Sequence, residues 1–457
     1  MITIGYPPKH VGGTEIYVFG LVEALKQKGH ECFIAYVEPI EQQNGPEMRI
    51  TADEYMGTAV YEIQVNSVSQ KLEFLIFDSE LRAKLIKQFR ELVSKLRPDI
   101  VHVHPLQLGL ESYLIEMMNQ EGEKVLFTYH SSTTSCARGD LIRMGTQVCD
   151  GLILQSRCTK CFYHWKSVPT AIAAPLAKLP LPFYQVAFAA LSSNRLWRKP
   201  RSFVSVPLII RERRKAWRRA TTNARMVVAV CQWVRDTILK NGVPEEKIVL
   251  SRHGLRLAGV TGESRTEDIV KFGYLGRISP EKGIQVLLAV LENMPAHLEY
   301  EFEICSSSFY QGSRGPAEED LIQRIYRLQN NDDRVRVLEF VSDSRLRETL
   351  SSWDAIVVPS LWLESGPQVV YEAFAVQTPV IGSRLGGIAE LVKEGETGVL
   401  FEAGNAKELS DLLRVFVYEP ERLRRLRVNI PPVRTTSDVA DDMINLYGRL
   451  LAHTSAA

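Results

Sequence analysis

The sequence predicts an α/β protein made of two Rossmann-like domains that face each other across a deep interdomain cleft. Three observations carry this expectation. Apolar strand-like runs alternate with helix-period segments through the first half of the chain, as in a parallel sheet covered on both faces. A polar, glycine-containing stretch at 256–268 interrupts the alternation, which restarts at "IVKFGYLG". A chain of 457 residues is long enough for two or three domains.

The elements follow in order. "MITIGYPP" reads as a short strand ending in a turn. "TEIYVFGLVEALKQKGH" has apolar residues at helical spacing, with Gly29 as a C-cap. "ECFIAYVEP" is a buried strand, and "ELRAKLIKQFRELVSKLRP" is an amphipathic helix stopped by Pro98. "DIVHVHP", "KVLFTYH" and "GLILQS" read as strands, then "MVVAV", the helix "QWVRDTILKNG" and the strand "KIVLSRHG". Residues 1–255 therefore form an N-terminal domain, with a cysteine-bearing insert at 131–166 and a basic insert at 180–225. After the 256–268 linker, a second α/β domain spans 269–435. The helix predicted within 436–457 is expected to pack back on the N-terminal domain.

Composition narrows the function classes. Hydrophobic residues make up 45% and charged residues 24%, ordinary for a globular protein. A net charge of +1 argues against a general nucleic-acid binder. No basic, apolar leader precedes "PPKHVGGTE". The longest apolar stretch, "AIAAPLAKLPLPFYQVAFAAL", is broken by Lys178 and three prolines, so no membrane-spanning helix is expected. Seven cysteines, an odd number, suggest a reducing compartment and a cytoplasmic location.

Ligands of open α/β sheets bind beyond the carboxyl ends of the strands, so the residues that follow strands are informative. Gly12 and Gly13 in "PPKHVGGTE" open a helix, where backbone can approach an anion closely. The G-x-G-x-x-G of a dinucleotide site is absent, which counts against a dehydrogenase. In "YLGRISPEKG", Arg277 and Lys282 flank a turn and could converge on a diphosphate, or be two solvated cations. In "LWLESGPQVVYEA", Glu364 sits in a loop, Ser365 or Gly366 can cap the next helix, and Pro367 suits its first turn. Glu372 falls inside that helix, roughly 12 Å from Glu364 at 1.5 Å per residue. That is too far to share a metal ion or a proton. It suits two contacts on one extended ligand, though exposed helix glutamates are common.

These motifs together resemble the retaining glycosyltransferases of family 4, which have the GT-B fold. "GGTE", "YLGRISPEKG" and "VVPSLWLESGPQVVYEAFAVQTPVIGSRLGGIAELVKEGETGVLF" occur in the family's order, the last being the most specific. The resemblance implies a nucleoside-diphosphate-sugar donor, a glycan or lipid-linked acceptor, no nucleic acid and no cofactor required for catalysis. It implies that Arg277 and Lys282 hold the pyrophosphate and Glu372 the ribose. Glu364, with Ser365 and Gly366, would face the donor sugar, Gly12 and Gly13 the phosphates and acceptor, and His130, closing "LFTYH", the sugar. It also implies a role in cell-surface polysaccharide or lipopolysaccharide synthesis. An epimerase or a catalytically silent nucleotide-sugar-binding scaffold is the alternative on the same fold. The chain departs from the family with "CSSS" at Cys305–Ser308 and with His253 where an asparagine is usual.

Two features lie outside these motifs. Cys136, Cys149, Cys158 and Cys161 fall in one short span and could hold a structural zinc ion, or be reduced thiols. The stretch from Arg195 to Arg225 holds eleven Lys or Arg residues and one acid, Glu212, with tryptophans interleaved. It fits either an anionic membrane surface, at the inner membrane face, or a solvated helix.

Overall fold

The computed structural model describes residues 1–40, 48–66, 79–106, 109–192, 198–256, 269–310, 315–338 and 343–452. The expected linker, Arg256 excepted, and Arg195 and Trp197 of the basic stretch lie outside these residues. The chain divides into two units. One joins Met1–Arg252 to Thr436–Ala457, and the other is His253–Thr435.

The first unit contains strands β1 (Phe33–Ile40), β2 (Met48–Tyr55), β3 (Thr58–Asn66), β4 (Val101–Val103), β5 (Val125–Tyr129), β6 (Ile142–Arg143), β7 (Gln147–Val148), β8 (Met226–Ala229) and β9 (Ile248–Leu250). Its helices are α1 (Gly13–Gln27), α2 (Ser79–Leu96), α3 (Leu110–Gln120), α4 (Gln155–Trp165), α5 (Thr170–Leu176), α6 (Leu181–Ser192), α7 (Arg198–Asn223) and α8 (Gln232–Lys240). The strands run β2-β3-β1 and β4-β5-β8-β9. Ile2 bridges the two sets, pairing with Ala35 of β1 and Val103 of β4. The "MITIGYPP" segment thus runs beside strands on both sides but contributes single bridges rather than a full strand. All of β4 and β5 is buried, which is why these apolar runs read clearly as interior parallel strands.

Two differences from the sequence reading have simple causes. "GLILQS" is not a strand: the Ile153 amide donates to Asn241 Oδ1 at 2.9 Å, and α4 begins at Gln155. Conversely, neither β2 nor the mostly buried β3, "TAVYEIQVN", was anticipated. β2 pairs antiparallel with β3 and carries exposed charges in "MRITADEY", so its pattern is that of a solvent-facing edge. The last helix, Thr436–Ala452, belongs to this unit. Its Val439, Ala440, Met443, Leu446 and Leu450 join Tyr17, Val18, Leu21, Val22 and Leu25 of α1 in one buried cluster.

The second unit holds β10 (Val270–Leu275), β11 (Tyr300–Cys305), β12 (Val335–Leu338), β13 (Ala355–Val358), β14 (Val380–Ser383) and β15 (Gly398–Phe401). They form one parallel sheet in the order β12-β11-β10-β13-β14-β15. Helices α9 (Ile284–Leu291), α10 (Pro316–Asn331), α11 (Asp343–Ser351), α12 (Gln368–Ala375), α13 (Gly386–Leu391), α14 (Ala406–Tyr418) and α15 (Glu421–Val428) connect or follow the strands. This is the doubly wound order, and it reverses between β10 and β13. A crevice for a ligand opens at that reversal, beyond the carboxyl ends of the two strands.

Candidate active site

The loops after β10 and β13 lie at this reversal and are tied to each other. The Leu361 amide donates to the Glu281 carbonyl at 2.9 Å. Gly283 has a φ of 73°, and a Cβ there would sit 1.8 Å from the Pro359 carbonyl oxygen, so only glycine lets the loops approach this closely. The approach brings Lys282 to Glu364. Lys282 Nζ lies 2.6 Å from Glu364 Oε1, with the two side chains 25% and 10% exposed. The same oxygen accepts from Ser360 Oγ at 3.0 Å and Trp362 Nε1 at 2.7 Å. Lys282 also stands 5.4 Å from the centre of the Trp362 ring. Three donors on one carboxylate oxygen fix its position far better than an exposed ion pair would.

Arg277 and Lys282 differ in their surroundings. Arg277 is 55% exposed and pairs with Glu281 at 3.5 Å, while Tyr274 donates to its backbone carbonyl at 2.7 Å. The "CSSS" turn braces the same loop, since Ser308 Oγ accepts from the Ile278 amide at 3.0 Å. Glu372 is half-buried within α12. The residue at the N-cap of α12 is Pro367, with no side-chain cap. Ser365 and Gly366 therefore do not cap this helix; they belong to the turn that leads into it. The Glu364 carbonyl accepts from the Gly387 amide at 2.7 Å, which anchors that turn to α13.

His253 is packed under the turn. A Cβ on Gly366 would fall 2.0 Å from His253 Nδ1, and Gln368 Nε2 lies 3.4 Å from the same nitrogen. Burial lowers the His253 pKa to about 4, against a smaller opposing effect from its hydrogen bond with the Gly366 backbone. The imidazole is neutral at physiological pH and acts as a rigid floor for the Glu364 loop.

In the first unit, Gly12 is the N-cap of α1 and makes no side-chain cap bond. A Cβ on Gly13 would meet no protein atom within 4 Å, so packing within the chain does not demand glycine there. His130 directly follows β5 and is buried. Its Nε2 is 2.8 Å from His104 Nδ1, and the Tyr17 ring meets it edge-on at 4.6 Å. His102 stacks on His104 at 4.3 Å and is held by Tyr447 Oη at 2.7 Å and Thr128 Oγ1 at 2.6 Å. Burial pushes the His102 pKa down to about 3 and that of His104 well below the usual imidazole range. His104, Tyr17, Ser360 and Trp362 were not singled out in the sequence. "HVH" after an apolar run and "SLW" at a strand end were the available signals.

The zinc expectation is not supported. Among the described residues, no group of three or more Cys, His, Asp or Glu side chains is arranged to hold a metal ion. Cys136, Cys149, Cys158 and Cys161 border one small hollow but make separate contacts. Cys161 Sγ accepts from the Met144 amide at 3.3 Å, and Cys149 Sγ donates to Asp150 at 3.8 Å. Burial pushes the Cys158 thiol up to about 11. Several arginines of the basic stretch are also committed within the unit. Arg213 bonds the Thr133 carbonyl. Arg219 pairs with Glu116 at 3.0 Å and stacks 3.9 Å over Tyr113, and Arg211 pairs with Glu212 at 2.8 Å.

The folds of the two units, with a charged pair at the switch point of the second, define the GT-B class. Residues 263–431 match the family of glycosyl transferases group 1, and residues 11–170 match Glycosyltransferase Family 4. The chain belongs to this family, whose members are retaining and generally metal-independent. It is 25% identical over 178 residues to an alpha-D-kanosaminyltransferase of Streptomyces kanamyceticus, covering 38% of this chain and 44% of that protein. It is 32% identical over 159 residues to a D-inositol 3-phosphate glycosyltransferase of Rhodococcus jostii (strain RHA1), covering 35% of each. The matched stretches thus span less than half the length of these relatives. Sucrose-phosphate synthase from Thermosynechococcus elongatus has the same fold, with a TM-score of 0.65 and 19% identity over 99% of this chain and 98% of that one. The catalytic domain of starch synthase IV from Arabidopsis thaliana gives 0.61 and 16% over 99% and 98%.

Proposed function

We propose that the protein is a retaining glycosyltransferase that moves a sugar from a nucleoside diphosphate to a hydroxyl acceptor. The observation that carries this reading is the Lys282–Glu364 pair, held by Ser360 and Trp362 at the reversal of strand order in the second unit. Breaking the bond between the anomeric carbon and phosphate leaves growing negative charge on the diphosphate. In this reading Lys282 and Arg277 stabilise that charge as it develops, which needs no bound metal. Lys282 is the better ordered of the two, because Glu364 and the Trp362 ring already fix it. Glu372 accepts from the ribose hydroxyls. Glu364, positioned by its three donors, lies against the donor sugar, with Ser365 and Gly366 shaping the turn beside it. The family resemblance further implies roles for His130 toward the sugar and for Gly12 and Gly13 toward phosphate and acceptor. The leaving phosphate takes the acceptor proton on the same face from which it departs, which retains the anomeric configuration.

The finer reading is that the acceptor is a glycan or lipid-linked saccharide, used in making a cell-surface polysaccharide or lipopolysaccharide at the inner membrane face. The basic and apolar character of the first unit's helical insert supports it. The test is a panel of UDP-, GDP- and ADP-sugars, read by thermal shift and by release of nucleoside diphosphate. One donor that both stabilises and turns over supports the proposal. A donor that stabilises with no hydrolysis or transfer identifies a silent nucleotide-sugar binder. No stabilisation by any of them overturns the reading.

A further inference from the structure

The helical insert of the first unit has an unusual charge pattern. From Gly151 to Arg211 the chain has no Asp or Glu, while nine Lys or Arg residues fall in the same span. The molecule as a whole is nearly neutral at +1, so this segment concentrates positive charge that is balanced elsewhere. Within it, α6 carries no charged side chain at all.

The packing of the insert leaves apolar side chains on both of its faces. The inner face forms a small core of Phe162, Tyr163, Ala173 and Val206. Tyr163 stacks on Phe203 at 4.6 Å, and Tyr184 donates to the Leu176 carbonyl at 2.5 Å. The inner faces of α4, α5 and α6 are therefore already used. Even so, Trp165, Ile172, Leu179, Phe183 and Val186 stand exposed on α4, α5, α6 and the turn between α5 and α6, and Val186 is 72% exposed. Phe183 and Val186 are three apart on α6 and share a face. Lys166 and Lys178 are exposed in the same segment.

A helical segment that is apolar inside and outside needs a second apolar partner. The charge pattern identifies its chemistry. A nucleic acid would reward dense cations and not exposed aliphatic side chains. A bilayer interface takes up aromatic and aliphatic groups while its anionic headgroups attract the flanking lysines and arginines. We infer that the α5–α6 face, edged by Trp165, docks in the plane of an anionic membrane. Of the α7 arginines, Arg211, Arg213 and Arg219 are engaged within the unit, so the exposed apolar side chains carry this inference. No helix among the described residues is long and apolar enough to cross a membrane, so contact is with one leaflet. The inference stands apart from the transfer reaction, because vesicle binding needs no donor.

The experiment is co-sedimentation of the full chain with vesicles of phosphatidylcholine alone and of phosphatidylcholine with 30 mol% phosphatidylglycerol, with a protein-only control. Binding is expected to the anionic vesicles and to weaken at high salt. The variant F183D/V186D is expected to lower binding about tenfold or more and to leave the thermal midpoint close to wild type, since Val186 is 72% exposed and Phe183 touches only the edge of Tyr184. Lys166→Gln with Lys178→Gln keeps the apolar face and is expected to lower binding to anionic vesicles only. The proposal is overturned by absence of wild-type binding, by equal binding to neutral vesicles, or by full binding of F183D/V186D. It is also overturned if F183D/V186D instead abolishes self-association of a wild-type protein that ignores vesicles, which would assign the face to a second copy of the chain.

Discussion

Lys282 has one partner carboxylate and one aromatic ring, and both are 80 or more residues away in sequence. The pair exists because β10 and β13 are neighbours in the sheet, a fact that spacing along the chain does not reveal. Glu364 and Glu372 were legible as a loop and a helix carboxylate. The three donors that hold Glu364 Oε1 were not, because two of them, Ser360 and Trp362, look like ordinary strand-end residues. Lys282→Ala is expected to reduce kcat by about 100-fold or more on a correct donor, as when one stabilising group is removed from a developing anion. Its thermal midpoint should stay close to wild type, because Ser360 and Trp362 still satisfy the carboxylate. Equal turnover by the variant would remove Lys282 from the mechanism. At Gly366 the expected outcome is structural: Gly366→Ala drives a methyl into His253 and should cost about 1–3 kcal/mol in urea unfolding. Adding His253→Ala should recover part of that loss, a coupling that a double-mutant cycle measures.

At the scale of elements, buried strands were read correctly where they were continuous apolar runs, as in β5 and β13. The solvent-facing β2 escaped notice because its charges mask a strand, and "GLIL" misled because an apolar run pinned by one side-chain amide can stay irregular. Two buried histidines and one buried glutamate set opposing pH dependences. His102 and His253 have folded-state pKa values of about 3 and about 4, below the ordinary 6.5. The unfolded chain therefore binds more protons between these values and pH 6.5. Their contribution is complete above pH 6.5 and declines as pH falls, down to about 4 for His253 and about 3 for His102. Glu111, at the start of α3, is pushed up by burial to about 7. It acts the other way: its contribution is complete below pH 4.5 and is lost as pH rises through 7, on the order of 3 kcal/mol. Glu111→Gln should therefore gain on wild type as pH goes from 5 to 8 in urea unfolding. A constant difference between the two proteins would contradict the assignment.

For the whole molecule, the alternation of strands and helices was enough to anticipate two Rossmann-like units, because the interior strands of parallel sheets leave an apolar record. The sugar, base and acceptor leave no such record, since they are read by side chains that come together from separate loops. A correct donor at 100 times its dissociation constant should stabilise the chain by about 2.7 kcal/mol, visible as a rise in thermal midpoint. Removing residues after Thr435 should have a larger effect in the opposite direction. Five buried side chains of the last helix would leave the α1 cluster, a loss on the order of 10 kcal/mol, comparable to the whole stability of a domain.

That last helix also imposes an order on biosynthesis. The second unit is one continuous stretch, His253–Thr435, whereas the first is closed by residues that come after it. On the ribosome, the unit begun first is the one finished last. Its α1 face must wait, with Val18, Leu21 and Leu25 uncovered, while the other unit emerges and folds. A nascent chain stalled before Thr436 should therefore be open to chaperone capture and proteolysis in its N-terminal half while its C-terminal half is already protected.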